Sequence, residues 1–286
     1  MKNFVILLAF LASILSVTQG QVIPTTPASF RVAAYNIRYD AQMDIESGNA
    51  WDTRKEALAR LVRQHAFDMF GTQEGDNRQM AELKSMLPGY DMVLNPYGGK
   101  NDTHNAGIVY KTSRFELLDQ GVFWLSETPD VPSIGWDATD RRVCNWAKFR
   151  EKYSGKEFYF FNAHFYWRLK EAKENSGPLI AAKIKEIAGD SPAILVGDLN
   201  SKPETPQIYA IKKVMRDAYD VSKTARQGVE GTGFPGGVFK GTPGGRIDYV
   251  FVTPQIHVYD YKVLSDTYSD DRYPSDHLPV TSFIEF

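Results

Sequence analysis

Apolar residues along the chain come in short blocks, and block after block ends on a polar residue. Phe30 to Ile37, FRVAAYNI, is β-rich and predicts a central strand running into a polar tip. Thr53 to His65 carries Leu58, Leu61 and Val62 at helical spacing, which predicts a helix with Asp52 or Thr53 as its N-cap. FDMFGTQE, ending at Glu74, reads as a short buried strand, and Asn77 to Leu87 as a helix stopped by Pro88-Gly89. Strands are then expected at Tyr90–Asn95, Ala106–Lys111, Phe115–Leu125, Val143–Arg150 and Phe158–Ala163. Arg168 to Ala188 has helical character, with Gly177-Pro178 expected to break or kink it. PAILVGDLN is another buried strand with a polar tip, a short helix is expected near Thr205–Val214, and RIDYVFV and LPVTSFIEF close the chain.

Strands and helices interleave, yet hairpin-like pairs are frequent. That combination implies an α/β fold with two mixed sheets packed face to face and helices outside. No linker, repeat or low-complexity tract follows Phe30, so residues 30–286 are expected to form one domain. The start of the chain differs. Lys2 precedes an apolar run from Phe4 to Val17, and small residues Thr18 and Gly20 stand before Gln21, the pattern of a secretory signal peptide over residues 1–20. The run falls short of the roughly 20 apolar residues that span a bilayer, and no cysteine near the cut offers lipid attachment. The expectation is a secreted or periplasmic protein with a flexible Pro/Thr-rich leader at 21–29.

Composition adds exclusions. Of 286 residues, 43% are hydrophobic and 24% charged, with a formal net charge of −2, so no broad basic surface points to long nucleic acid. The single Cys144 cannot make an internal disulfide, and its strand-like setting marks it as a small buried hydrophobe.

The polar residues at the block ends form a chemical set. They are Asn36, Glu74, His164, Asp198 with Asn200, Asp248, and the pair Asp276-His277. Each alone fits a turn or cap. Together they are informative, because the ends of central strands in such sheets converge on one side. The carboxylates and amide are hard oxygen donors suited to Mg²⁺, with Mn²⁺ or Ca²⁺ as alternatives, and no Cys/His cluster suggests zinc. Two of five histidines, His164 and His277, fall in the set; His65, His104 and His257 are read as structural. Carboxylates, a positioning amide, imidazoles and a hard cation describe phosphate-ester hydrolysis, whose barrier demands several groups acting together.

In order, YNIR, GTQE, NAHF, GDLN, GRIDYVF and SDHLPV resemble the motifs of the endonuclease/exonuclease/phosphatase (DNase I-like) superfamily, from Phe30 to Phe286. The resemblance implies a four-layered α/β sandwich and an exported bacterial phosphoesterase. It implies that Asn36 orients the site, Glu74 binds the metal and His164 contacts the scissile phosphate. Asp198 would activate water or protonate the leaving group, Asn200 would hold phosphate or metal, Asp248 would pair with His277, and Asp276 would support the metal or nucleophile. Arg142 is a candidate for substrate phosphate. Where many relatives carry an acidic residue after the histidine, this chain has Phe165-Tyr166-Trp167, read mainly as packing. The Gly-rich stretch from Gly228 to Gly245 is a candidate mobile substrate loop. The expected substrate is a phosphodiester or a small phosphorylated metabolite. The alternatives are a nuclease acting on DNA or RNA, and a catalytically silent binding module of the same fold.

Overall fold

A computed structural model describes residues 28–95, 97, 103–104 and 106–286. The expected signal peptide at 1–20 and residues 21–27 of the leader lie outside them. Ser29, assigned to the leader, already belongs to the first strand.

Two sheets stack face to face. The first runs His257–Val258, Val280–Glu285, Ser29–Asn36, Met69–Gln73, Gly107–Lys111 and Tyr90–Val93 in spatial order, with Lys262–Val263 also on Val280–Glu285. The second runs Arg216–Asp217, Asp248–Val252, Ala193–Asp198, Glu157–His164, Val143–Glu151 and Phe115–Trp124. Each sheet has one parallel pair at its centre, Ser29–Asn36 beside Met69–Gln73 and Glu157–His164 beside Ala193–Asp198; the other neighbours are antiparallel.

Burial explains the strand sequences. The inner faces supply Phe30, Val32, Ala34, Phe158, Phe160, Ile194, Val196, Val250, Val280 and Ile284 to a core between the sheets. The alternate residues Ala33 and Tyr35 face outward onto Leu58, Leu61, Val62 and Leu83 of the helices Trp51–Gln64 and Asn77–Met86. On the opposite side Phe161, Ala163 and Leu195 pack on Ile180, Ile184 and Ile208 of the helices Lys170–Ala188 and Pro206–Lys212. Central strands buried on both faces read as continuous apolar runs rather than alternating ones. The order helix, sheet, sheet, helix is the four-layered sandwich expected.

Two helix expectations need correction. Neither Asp52 nor Thr53 caps the helix Trp51–Gln64; its N-cap position is Ala50, and the Trp51 N–H donates 2.9 Å to the Asp40 carboxylate, a cap delivered from a loop eleven residues upstream. Asp52 instead lies in the first turn and pairs with Lys55. Lys170–Ala188 runs unbroken through Pro178. Tertiary packing outweighs the missing hydrogen bond: Gly177 lies so close to the next helix that a Cβ there would come within 2.3 Å of the Gln207 carbonyl oxygen.

Candidate active site

The register of the two parallel pairs sets up the site. Asn36 stands opposite Gln73, the residue before Glu74, and Asp198 stands opposite His164 on one side and Asp248 on the other. Asp276 and His277 precede the strand Val280–Glu285, which pairs with Ser29–Asn36 so that Val280 meets Ala34. All the polar block ends therefore emerge at one end of the sandwich. The physical cause is shared: each strand stays apolar while it is in the core and changes character where it leaves.

The centre is the Oδ2 atom of Asp198. It accepts a hydrogen bond from Asn36 Nδ2 at 3.1 Å and lies 3.5 Å from His164 Nε2 and 3.8 Å from His277 Nε2. Its partner Oδ1 accepts from the Asn200 N–H at 2.9 Å. Asn36 also donates 3.0 Å to Glu74 and accepts from the Arg38 N–H, so one amide links both sheets. His277 Nδ1 lies 2.9 Å from Asp248 Oδ2, the expected pairing, and Asp248 is fully buried.

Burial and neighbours spread the titrations. Burial lifts Asp198 to about 7 against the pull of His277, with Asp248 adding to the rise. Burial likewise lifts Asp276 to about 6, although His277 opposes it. Glu74 goes the other way: burial alone would raise it, but His164, Arg38 and the Asn36 hydrogen bond together hold it down near 2. Burial and the Arg142 charge drive His164 down to about 3, leaving it neutral at physiological pH, so Arg38, Asn36 and charged His277 are the partners that persist there for Glu74. His277 moves well above its ordinary value despite burial, because Asp248 and Asp198 flank it.

The backbone is strained at the site. Arg38, Glu74 and Asn200 adopt positive φ of 57°, 68° and 44°, conformations that cost about 1–3 kcal/mol each and persist only where the surroundings enforce them. Part of that enforcement comes from Arg54, which is fully buried on the helix Trp51–Gln64 and donates to the carbonyls of Ile37, Arg38, Tyr39, Asn49 and Pro274. More comes from Gln73, Nε2 of which donates 2.6 Å to Asn162 between the sheets.

Every candidate from the sequence reaches this end of the molecule. Arg142 is mostly buried, lies over the Tyr166 ring at 5.6 Å and acts on His164 by charge. Among the described residues two donor groups have ligand atoms within 4.8 Å of one another, Glu74–His164–Asp198 and Asp198–Asp248–His277. Asp276 stands beside Glu74 across Arg38, Nη1 of which lies 3.6 Å from Asp276 Oδ2 and 3.9 Å from Glu74 Oε2. Buried Oδ1 atoms of Asp248 and Asp276 and Nδ1 of His164 have no hydrogen-bond partner among the described residues, so they are free to meet a cation or a substrate.

The Gly-rich stretch divides: residues 231–234 and Phe239 are buried, while 228–230, 235–236, 238, 240–242 and 244–245 are exposed. Thr232 is fully buried and accepts from the Ile247 and Asp248 N–H groups, Phe234 N–H donates to Asp276, and a Cβ at Gly231 would come within 1.7 Å of the Gly244 carbonyl oxygen. Its buried part, 231–234, braces the strand ends that carry Asp248 and Asp276. The aromatic run divides: Phe165 and Tyr166 are buried, while Trp167 is 59% exposed with Arg168 against its ring. Cys144 is buried, as expected, and burial raises its thiol further above its ordinary value. His65 forms a surface pair with Asp266, and His257 lies on an edge strand.

Arg38, Asp44, Arg54, Gln73 and Asn162 are contributors that strand-end reasoning missed. For Arg54 a signal existed: it sits four residues before Leu58 and seven before Leu61, on the helix face that is buried.

Comparison with known proteins agrees with the geometry. A family model for the endonuclease/exonuclease/phosphatase family matches residues 33–277. A mannosyl-6-phosphatase of Bacteroides thetaiotaomicron is 39% identical, covers 90% of this chain and 100% of its own, and superposes with a TM-score of 0.83. An endonuclease/exonuclease/phosphatase from Bacteroides vulgatus is 36% identical over 90% of this chain and 99% of its own, with a TM-score of 0.81. An uncharacterized protein of Acanthamoeba polyphaga mimivirus is 27% identical over 252 residues, 82% of this chain and 92% of its own.

Proposed function

The chain belongs to the endonuclease/exonuclease/phosphatase family, and from that premise we propose that it is an exported, divalent-metal-dependent phosphoesterase acting on a small phosphorylated substrate, a sugar phosphomonoester in the first place. The observation that carries this reading is the meeting of Asn36, His164 and His277 on one carboxylate oxygen of Asp198, with Asp248 behind His277. The sugar-phosphate assignment draws on the 39% identity to a mannosyl-6-phosphatase and on a net charge of −2, which supplies no broad cationic track for a polyanion.

The residues divide the work as follows. Asp198, lifted to about 7, accepts the proton of the attacking water in line with the leaving group. His277, kept cationic by Asp248, stabilises the charge that builds on the phosphoryl oxygens. Neutral His164 donates an N–H to the same group, with Arg142 behind it. The phosphorus–oxygen bond to the leaving group breaks as the bond to water forms, and the released alkoxide is protonated from the site. Glu74 and Asp276 would hold Mg²⁺ with help from Asn36; their hard oxygens and the partnerless Asp276 Oδ1 fit that ion. When bound, the ion supplies charge neutralisation and a more acidic water.

The test is turnover of p-nitrophenyl phosphate, bis-p-nitrophenyl phosphate, sugar 6-phosphates, DNA, RNA and sphingomyelin by purified protein, with Mg²⁺ and with EDTA. EDTA-sensitive hydrolysis of the sugar phosphates, abolished in His277→Ala, is expected. No EDTA-sensitive turnover of any substrate, or full activity in His277→Ala, overturns the reading. Export predicts a mature N-terminus at Gln21, read by N-terminal sequencing of the extracytoplasmic fraction. Among the described residues no helix is long and apolar enough to cross a membrane.

A further inference from the structure

Arg38 is held in an unusual way. Its Nε donates 2.8 Å to Asp44 Oδ2 and its Nη2 lies 3.4 Å from Asp44 Oδ1, so one edge of the guanidinium is fixed by a buried carboxylate. Tyr39 lies against its face at 4.6 Å. Its carbonyl accepts from Gln79 Nε2 at 2.8 Å and from Arg54, which pins a backbone already at positive φ.

The opposite edge is different. Nη1 points between Glu74 and Asp276 but stops at 3.9 and 3.6 Å, beyond hydrogen-bond length to either. An arginine present only to neutralise these carboxylates would close onto one of them. Instead a planar donor group is held on one edge by Asp44 and on one face by Tyr39, with N–H bonds left over on the side that faces the site.

We propose that Arg38 is the receptor for a terminal phosphate oxygen and makes the site selective for phosphomonoesters over diesters. A monoester dianion presents three terminal oxygens and two charges, a diester two oxygens and one charge. An added guanidinium donor therefore gains most on the monoester. The inference rests on the phosphoesterase reading and assigns its preference for monoesters to one side chain.

The experiment compares wild type, Arg38→Met, Arg38→Lys and Asp44→Asn. Three quantities are read: kcat/KM on p-nitrophenyl phosphate and on bis-p-nitrophenyl phosphate, inhibition and calorimetric binding by inorganic phosphate, and calorimetric binding of Mn²⁺. Arg38→Met is expected to weaken phosphate binding roughly 10- to 100-fold, the range for one charged hydrogen-bonding contact. It should lower monoester kcat/KM by a similar factor and diester kcat/KM several-fold less. Mn²⁺ binding should hold or tighten, because a cation leaves the neighbourhood of Glu74 and Asp276. Arg38→Lys should fall between, and Asp44→Asn should show a weaker form of the same pattern.

Equal losses on both esters, or phosphate binding within twofold of wild type, would overturn the proposal, and so would parallel loss of phosphate and Mn²⁺ binding. Should Arg38→Met fail to fold by circular dichroism, the Lys and Asp44→Asn variants decide on the same criteria. If wild type turns over neither ester, the function proposed above fails, and phosphate binding to the variants still decides the role of Arg38.

Discussion

Asp248→Asn isolates the contribution of one buried charge. The substitution keeps the shape of the side chain and an oxygen that can accept from His277 Nδ1, now 2.9 Å from Oδ2. What it removes is the carboxylate charge that keeps His277 protonated. A charge-assisted hydrogen bond in a buried site is worth about 1.5–3 kcal/mol, or roughly 10- to 150-fold in rate at about 1.36 kcal/mol per decade. Removing the Asp248 charge lowers His277 from its wild-type position, because burial favours the neutral form and only Asp198 and Asp276 remain to oppose it. The weakened cation at neutral pH brings the expected fall in kcat to about 10²–10³, the range for removing one donor to transition-state charge. The KM on p-nitrophenyl phosphate should change by less than about threefold, since the interaction develops with the transition state. The pH profile supplies the signature. Wild type keeps His277 charged well above its ordinary value, whereas the variant charges it only on acidification, so the ratio of variant to wild-type kcat should climb from pH 8 to pH 6. Steady-state assays in saturating Mg²⁺ over that range are the measurement. A variant within threefold of wild type at pH 7.5, or a ratio flat with pH, would refute the role assigned to the Asp248–His277 pair.

Other consequences can be measured directly. In metal-free protein Asp198 has a folded pKa of about 7, raised above its unfolded value, so its contribution to stability is complete below the unfolded pKa and is lost as pH rises through 7; His277 acts with the same sign. Differential scanning fluorimetry in EDTA should show Tm falling from pH 6.5 to 8, with Mg²⁺ reversing the fall, and a rise over that interval would contradict it. Phe165→Ala should cost about 3–5 kcal/mol in urea unfolding, as for a buried aromatic, while exposed Trp167→Ala should stay within about 0.5 kcal/mol. Gly71→Ala should cost about 1–3 kcal/mol, since a Cβ there would stand 2.5 Å from both Asn162 and Val196; urea midpoints decide it.

The parts of the site that could be read from the sequence share one property. Asn36, Glu74, His164 and Asp198 end apolar runs and Asp248 and His277 precede them; the core that creates those runs also fixes their register, so a one-dimensional pattern carried three-dimensional information. The brace residues lack it. Thr232 lies in a stretch of glycines whose composition resembles that of a free loop, and only the opposing Gly244 carbonyl and the Asp248 N–H explain why it is packed. Gly177-Pro178 was expected to break or kink a helix, because the contact that sustains the helix, Gly177 against Gln207, joins residues thirty positions apart. Arg38 and Arg54 illustrate the remaining gap. Both were visible as letters, one in the NIR run and one on the apolar face of a helix. Their roles depend on carbonyls and carboxylates from four loops, and no local pattern encodes a partner that arrives from elsewhere in the chain. For Arg54, five carbonyl partners and no carboxylate within its hydrogen bonds mean that its charge is spent on the 37–39 and 274 backbone. That backbone positions Arg38 and Asp276, so a fully buried arginine at this place sets the distance between the two sides of the site before any ligand arrives.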